Sequence, residues 1–268
     1  MIIPDSPPAS TDPQNAVQIP PTRLWLDDGT GVQGRGFGAA KLVRGEVVFN
    51  TAMVGYVEAL TDPSYCGQIL VLTYPLVGNY GVPPPRRPGS LDGPYESDRI
   101  QVQGLVVQNC VDSYSHHAAS RSLHQWLLAE GVPGLTGVDT RFLTRQLRAH
   151  GTMQGWLGPS STNADDAQAH AGAVEMRDEV FRRVAPREPV RYGDGKRTVL
   201  LVDAGAKDNI VRSLYDAQRD LGELYGDNAA SFFLPKDPFS HLTPDGYRRY
   251  GQVIGRTIRP LLAGALQP

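Results

Sequence analysis

Cysteine is scarce in this 268-residue chain. Only Cys66 and Cys110 occur, with no CxxC spacing, which argues against a disulfide scaffold and against a cysteine zinc site. Long apolar runs are missing too: none approaches the ~20 residues that a membrane span requires. Neither sign of charge is in excess. The 26 Lys+Arg and 28 Asp+Glu leave a formal net charge of −2 and a pI near 6.3, so a surface built to hold nucleic acid or anionic lipid is not expected. The N-terminus has no basic start followed by an apolar stretch. No secretory signal is therefore expected, and a reducing cytoplasm is the expected compartment. The patterns H-x-x-x-H, H-E-x-x-H and G-x-S-x-G are absent, which removes the simplest zinc-hydrolase and serine-elbow signatures.

Turn-forming residues are plentiful, with 29 Gly and 22 Pro, so loops take up much of the chain. Residues 1–22 are rich in Pro, Ser and Asp and read as a disordered arm. Leu24 to Leu26 reads as a strand, Asp27 to Gly31 as a hairpin turn, and Val32 to Phe37 as the return strand. The run Gly34-Arg35-Gly36-Phe37-Gly38 has the wrong spacing for a dinucleotide fingerprint and suits a tightly packed strand or bulge. The densest stretch is Gly45 to Gly81. It holds two apolar strands, Val47 to Phe49 (within Glu46 to Thr51) and Ile69 to Tyr74. Between them lie a short helical turn, Gly55 to Leu60, and a polar turn, Thr61-Asp62-Pro63-Ser64-Tyr65. Such a turn can present side chains and backbone amides to a ligand or partner.

Further along, residues 82–94 read as a flexible loop and Ile100 to Gln108 as a strand. Ser120 to Glu130 has helical spacing with Leu123, Trp126 and Leu127 on one face. Leu135 to Val138 is a short strand. Asp139 and Thr140 cap a helix with Phe142, Leu143 and Leu147 inward, and Met153 to Leu157 is a strand. Residues 158–195 read as a linker with one helix around Ala164 to Val184. Thr198 to Val202, TVLLV, reads as a strand of the kind buried in a parallel sheet, and Asn209 to Leu214 opens a helix. The remaining residues show no further strand–helix alternation, so this second domain is expected to be incomplete.

Few residues are candidates for chemistry. Cys66 precedes a strand and Cys110 ends one, so packing is the simpler reading of each. His116 and His117 would point to opposite sides of an extended loop and make poor joint ligands. His124 is placed mid-helix on the solvent face. Asp237 and His241, ahead of a helix expected over Thr243 to Arg259, form a pair that can orient and activate a serine. A surface histidine before a helix start is the plainer reading.

The segment GEVVFNTAMVGYVEALTDPSYCGQILVLTYPLVGNYG (Gly45 to Gly81) resembles the signature of the carbamoyl-phosphate synthetase small-subunit family. LWLDDGTGVQGRGFGA, GLVVQNC and SLHQWLLAEGVPGLTGVDTRFLTRQLRAHGTMQGWL resemble the rest of that family's N-terminal domain. VLLVDAGAKDNIVRSL is similar to the start of its glutamine amidotransferase domain. The implied fold is α/β: a β-rich N-terminal domain over 23–157, a linker over 158–195, and a truncated class I amidotransferase (Rossmann-like) start over 196–214. A tail over 215–268 ends in a helix.

The resemblance implies a subunit that hydrolyses glutamine with a Cys-His-Glu site and passes ammonia to a large subunit. The large subunit uses ATP, magnesium and bicarbonate to make carbamoyl phosphate for arginine and pyrimidine synthesis. Expected partners are that large subunit and L-glutamine, with no cofactor held by this chain. Ser64 matches the family's glutamine-contacting serine, and a turn-stabilising hydroxyl is the alternative role. The glycine-flanked nucleophilic cysteine, the oxyanion glycines and the His-Glu pair are not found, so glutamine hydrolysis by this chain is not expected. His116-His117 stands where the family shows Asn followed by an aromatic residue. The tail FFLPKDPFSHLTPDGYRRYGQVI resembles the last block of SGNH-type esterases. It carries Asp237 and His241 in a D-x-x-x-H spacing where D-x-x-H is usual.

Overall fold

The computed structural model describes residues 20–87, 89–162, 179–193 and 200–215. The chain divides into two units, one made of Met1–Ala185 with Gly205–Asn209 and the other of Pro186–Ala204 with Ile210–Pro268.

The first unit is built on a closed barrel. Its strands are β1 (Pro21–Leu26), β2 (Gly31–Gly38), β3 (Val43–Asn50), β4 (Gln68–Leu72), β6 (Gly104–Val106), β8 (Pro133–Thr136) and β9 (Met153–Pro159). Around the barrel they run β1-β2-β8-β6-β4-β3-β9, and β9 closes on β1. The β3-β4, β4-β6 and β6-β8 pairs are parallel, and the other pairings are antiparallel. Two short strands, β5 (Leu76–Val77) and β7 (Asn109–Cys110), pair separately.

Side-chain alternation assigns residues to two apolar clusters. In β4, Ile69 and Val71 join the cluster fed by Leu24, Val43, Val47, Val106, Leu135 and Leu157 from the other barrel strands. This is the barrel interior. Leu70 and Leu72 face the other way, into a cluster with Tyr56, Leu60, Leu105 and Trp126. The interior is tight enough to exclude side chains at some positions: a Cβ on Gly155 would lie 2.5 Å from Val47 Cγ2.

Helices cover the barrel and complete both clusters. The first is α1 (Tyr56–Thr61). The second, α2 (Leu123–Ala129), buries Leu123, Trp126 and Leu127 as its spacing indicates. It starts in a capping box: Ser122 accepts from the Gln125 amide while the Gln125 side chain accepts from the Ser122 amide. In α3 (Thr140–His150), Asp139 accepts from the Phe142 amide at 2.9 Å, and Leu143 and Leu147 enter the barrel cluster. A fourth helix, α4 (Glu179–Val184), falls within the expected linker.

Several expectations need correction. The first strand begins at Pro21, inside the expected arm, and Thr22 is buried. Strand β4 ends at Leu72, short of Tyr74. Of Ile100 to Gln108 only Gly104–Val106 is strand. The preceding amides are satisfied irregularly: Ile100 donates to the Glu130 carboxylate, Gln101 to the Leu60 carbonyl and Gln103 to the Gln68 carbonyl. The 82–94 loop has several ties. Val82 forms a bridge with Arg121, and the Tyr95 hydroxyl donates to the Pro83 carbonyl at 2.8 Å. In the second unit residues 200–203 form no strand, and Leu200 and Val202 are 52% and 41% exposed. No sheet neighbour among the described residues pairs with them, so an apolar sequence alone does not make a strand there. Residues 208–215 are helical, as Asn209 to Leu214 indicates.

Candidate functional site: the Thr61 to Tyr65 turn and the loop beside it

Strands β3 and β4 run parallel, so the chain must cross back between them. That crossover carries α1 and then the polar turn. Thr61 is fully buried; its hydroxyl donates to the Val57 carbonyl at 2.9 Å and accepts from the Glu96 amide at 2.9 Å. Asp62 caps the 3-10 turn Pro63–Tyr65, and its Oδ1 accepts from the Ser64 amide at 2.9 Å. Pro63 is buried while Ser64 is exposed. The turn is thus fixed from beneath and presents a serine hydroxyl outward, which can donate to or accept from a polar ligand.

A distant segment lies against this turn. Asp62 Oδ2 pairs with Lys207 Nζ at 2.6 Å. Asp208 forms a largely buried ion pair with Arg86, and its amide donates to the Glu96 carbonyl at 3.0 Å. The Asn209 amide donates to Glu96 Oε2 at 2.9 Å. Gly205, at φ 106°, passes so close to Val184 that a Cβ would lie 2.7 Å from Val184 Cγ2, and 3.4 Å from Pro63 Cβ. Burial opposes the charge on Lys207, but its bond to Asp62, with Glu96 and Tyr65 nearby, raises its pKa above the ordinary lysine value.

The loop before α1 is a second feature. Thr51 to Val54 is exposed, with Met53 71% and Val54 74% accessible, and Tyr74 and Leu76 are exposed as well. Both ends of the loop are anchored. Asn50 accepts from the Ala52 amide at 2.7 Å and donates to the Tyr65 hydroxyl at 3.2 Å. The Tyr80 hydroxyl accepts from the Gly55 and Tyr56 amides, both at 3.0 Å. The Tyr80 ring stacks on Tyr56, centroids 4.1 Å apart, and the Tyr56 hydroxyl donates to the Gly81 carbonyl at 2.6 Å. An apolar pair is therefore held out into water by a fixed framework.

The remaining candidates separate cleanly. Burial pushes the Cys66 thiol up, and burial with Asp112 nearby pushes Cys110 to about 12. Neither is a ready nucleophile, because the thiolate is the reactive form. His116 and His117 do not point apart as expected. Their segment is a turn, not an extended loop, and the rings lie 4.4 Å apart. Among the described residues no group of three His, Cys, Asp or Glu could hold a metal. His124 is half-buried and accepts from the Gly38 amide at 3.0 Å, so it is not simply on the solvent face. Asp237 and His241 lie outside the described residues. Sequence reasoning missed Lys207, Asp208 and Glu96. For Lys207 and Asp208 the local signal is the Lys-Asp-Asn opening of a helix, and Glu96 has none of that kind.

The family model for the carbamoyl-phosphate synthase small chain, CPSase domain, matches residues 24–157. That range covers the barrel except the first three residues of β1 and the last two of β9, and it includes the turn and the anchored loop. The chain belongs to this family. It is 45% identical over 193 residues to the carbamoyl phosphate synthase small chain of Sulfurisphaera tokodaii, covering 72% of this chain and 51% of that protein. With the pyrimidine-specific small chain of Halalkalibacterium halodurans it shares 44% over 193 residues, again 72% and 51%. With the small chain of Methanopyrus kandleri it shares 39% over 231 residues, 83% and 61% of the two chains. This small-chain family member thus spans about half the length of most of the curated relatives it matches. The match gives no support to an ester hydrolase. Among the described residues of this chain, no helix is long and apolar enough to cross a membrane.

Proposed function

We propose that this chain serves as the small-subunit component of a glutamine-dependent carbamoyl-phosphate synthase. In that reading residues 24–157 dock on the large subunit, and Ser64 contacts L-glutamine. The family match over the barrel is the observation that carries the reading. Two features support its parts. The exposed Ser64 hydroxyl stands on a proline-braced turn whose backbone Asp62 fixes. Met53, Val54, Tyr74 and Leu76 form an exposed apolar group on an anchored loop and its neighbour, of the kind that marks a protein contact.

The chain's own residues bind and orient in this scheme. ATP, magnesium and bicarbonate belong to the large subunit, in arginine and pyrimidine synthesis. Glutamine hydrolysis needs a thiolate, and both cysteines carry raised pKa values. We therefore assign this chain a docking role without glutaminase chemistry of its own, in the cytoplasm. The fold assignment beyond the barrel, as the opening of an amidotransferase domain, rests on the resemblance of residues 196–214.

The test is to mix the purified chain with a cognate large subunit, then measure sedimentation and carbamoyl phosphate synthesis. The expected result is a stable complex active with ammonia and inactive with glutamine. Absence of any complex overturns the docking role, and glutamine-dependent synthesis overturns the loss of hydrolysis.

A further inference from the structure

We infer that Asp62 is a positioning residue that ties the Ser64 turn to the Gly205–Asn209 segment, so that the two form one unit. This rests on the reading that Ser64 contacts glutamine, and it adds what holds that serine in place. The two carboxylate oxygens have separate jobs. Oδ1 accepts from the Ser64 amide at 2.9 Å, and Oδ2 pairs with Lys207 Nζ at 2.6 Å. Asp62 itself is buried, while its partner Lys207 is partly exposed.

Other bonds hold the segment as well. Asp208 reaches Arg86, and the Asp208 and Asn209 amides reach Glu96. The Glu96 amide in turn donates to the hydroxyl of Thr61, the residue preceding Asp62. Two bonded groups therefore hold the segment, Asp62 with Lys207 and Thr61 with Glu96 and Asn209, and the Thr61–Asp62 peptide joins them. Residues on both sides of Gly205–Asn209 belong to the other compact unit, while this segment belongs to the barrel's. Asp62 is the side chain that bonds both the Ser64 amide and Lys207 of the segment. Linkage is reciprocal, so a ligand that fixes Ser64 also favours the docked segment.

A purely local role for Asp62, as cap of the 3-10 turn, makes a different prediction, and two substitutions separate the two roles. Asp62→Asn keeps an oxygen for the Ser64 amide and removes the charge that holds Lys207. Asp62→Ala removes both. Amide hydrogen exchange in the full chain reads Ser64, Asp208 and Asn209 together, with Leu70 and Val106 reporting barrel integrity.

In Asp62→Asn, exchange at Asp208 and Asn209 is expected to speed up about tenfold with Ser64 unchanged. In Asp62→Ala all three are expected to speed up. The Lys207 ammonium titration, followed by nitrogen NMR, is expected to move down in both variants because the Asp62 charge that raises it is gone. Unchanged exchange at Asp208 and Asn209 in both variants overturns the tie and leaves Asp62 as a local cap. If barrel amides are also lost in Asp62→Ala, Asp62→Asn and Lys207→Met decide: faster exchange at Asp208 and Asn209 supports the tie, and unchanged exchange overturns it. A separate arm adds millimolar L-glutamine to the unsubstituted chain. No change at Ser64 overturns the glutamine reading while leaving the tie standing.

Discussion

Two stretches of nearly the same composition end differently in this molecule. Gln68–Leu72, QILVL, is strand β4, paired on both sides and buried from Ile69 onward. Leu200 to Val202 belongs to an equally apolar run, TVLLV, yet it forms no strand and leaves Leu200 and Val202 exposed. Local propensity favours a strand in both. The difference is the neighbour: β3 and β6 supply hydrogen bonds and cross-strand side chains to the first, and no described residue does so for the second. Strand propensity is the fit of a side chain to a pleated, half-buried surface, and without that surface it has little effect.

Several substitutions probe this contrast. The largest effect is expected from Ile69→Ala. Ile69 is fully buried in the barrel, and its truncation should cost ~2–5 kcal/mol in urea unfolding. Next is Arg86→Ala, which leaves Asp208 largely buried without its cation. Removing one partner of such a pair costs up to about 3–5 kcal/mol. Here the loss should be confined to the docking of Gly205–Asn209, seen as faster cleavage of that segment by protease with the barrel melting unchanged.

Cys110 gives a pH signature. Its folded pKa is raised from 9.0 to about 12, so between those values the unfolded chain loses a proton that the folded chain keeps. Stability is therefore expected to fall as pH rises through that window. The half-buried thiol should resist alkylation at pH 8 until the protein is unfolded, and rapid alkylation of the native protein would contradict its raised pKa. The smallest effect belongs to Leu200→Ala, within ~0.5 kcal/mol, because Leu200 has little burial to lose. A loss comparable to that of Ile69→Ala would break the contrast between the two stretches.

Many of the elements that build the barrel unit were legible from local chemistry, but its closure into a barrel was not. The helix faces of Leu123, Trp126 and Leu127, and of Leu143 and Leu147, follow from spacing, and Asp139 is the cap its residue type suggests. The Asp27 to Gly31 hairpin is also local. Strand order was not legible, because closure of β9 on β1 and the parallel β3-β4 pair depend on contacts far apart in sequence. The short β6 shows the same limit: Ile100 to Gln103 is apolar enough for a strand, but its amides find irregular partners.

At the candidate site, the turn that carries Ser64 was legible because a proline-braced turn is local, while the glutamine role proposed for Ser64 comes from the resemblance alone. The Asp62–Lys207 pair was not, since neither residue marks the other in sequence. His116 and His117 were misread because extended backbone was assumed where the chain turns.

The proposed docking role puts the anchored loop of the barrel against the large subunit of a carbamoyl-phosphate synthase. Hydrogen exchange on the full chain, with and without a saturating cognate large subunit, tests this most directly. The expected result is new protection at residues 51–56 and 74–77, with residues 200–203 unchanged. Unaltered exchange at 51–56 and 74–77 in a formed complex would contradict the claim.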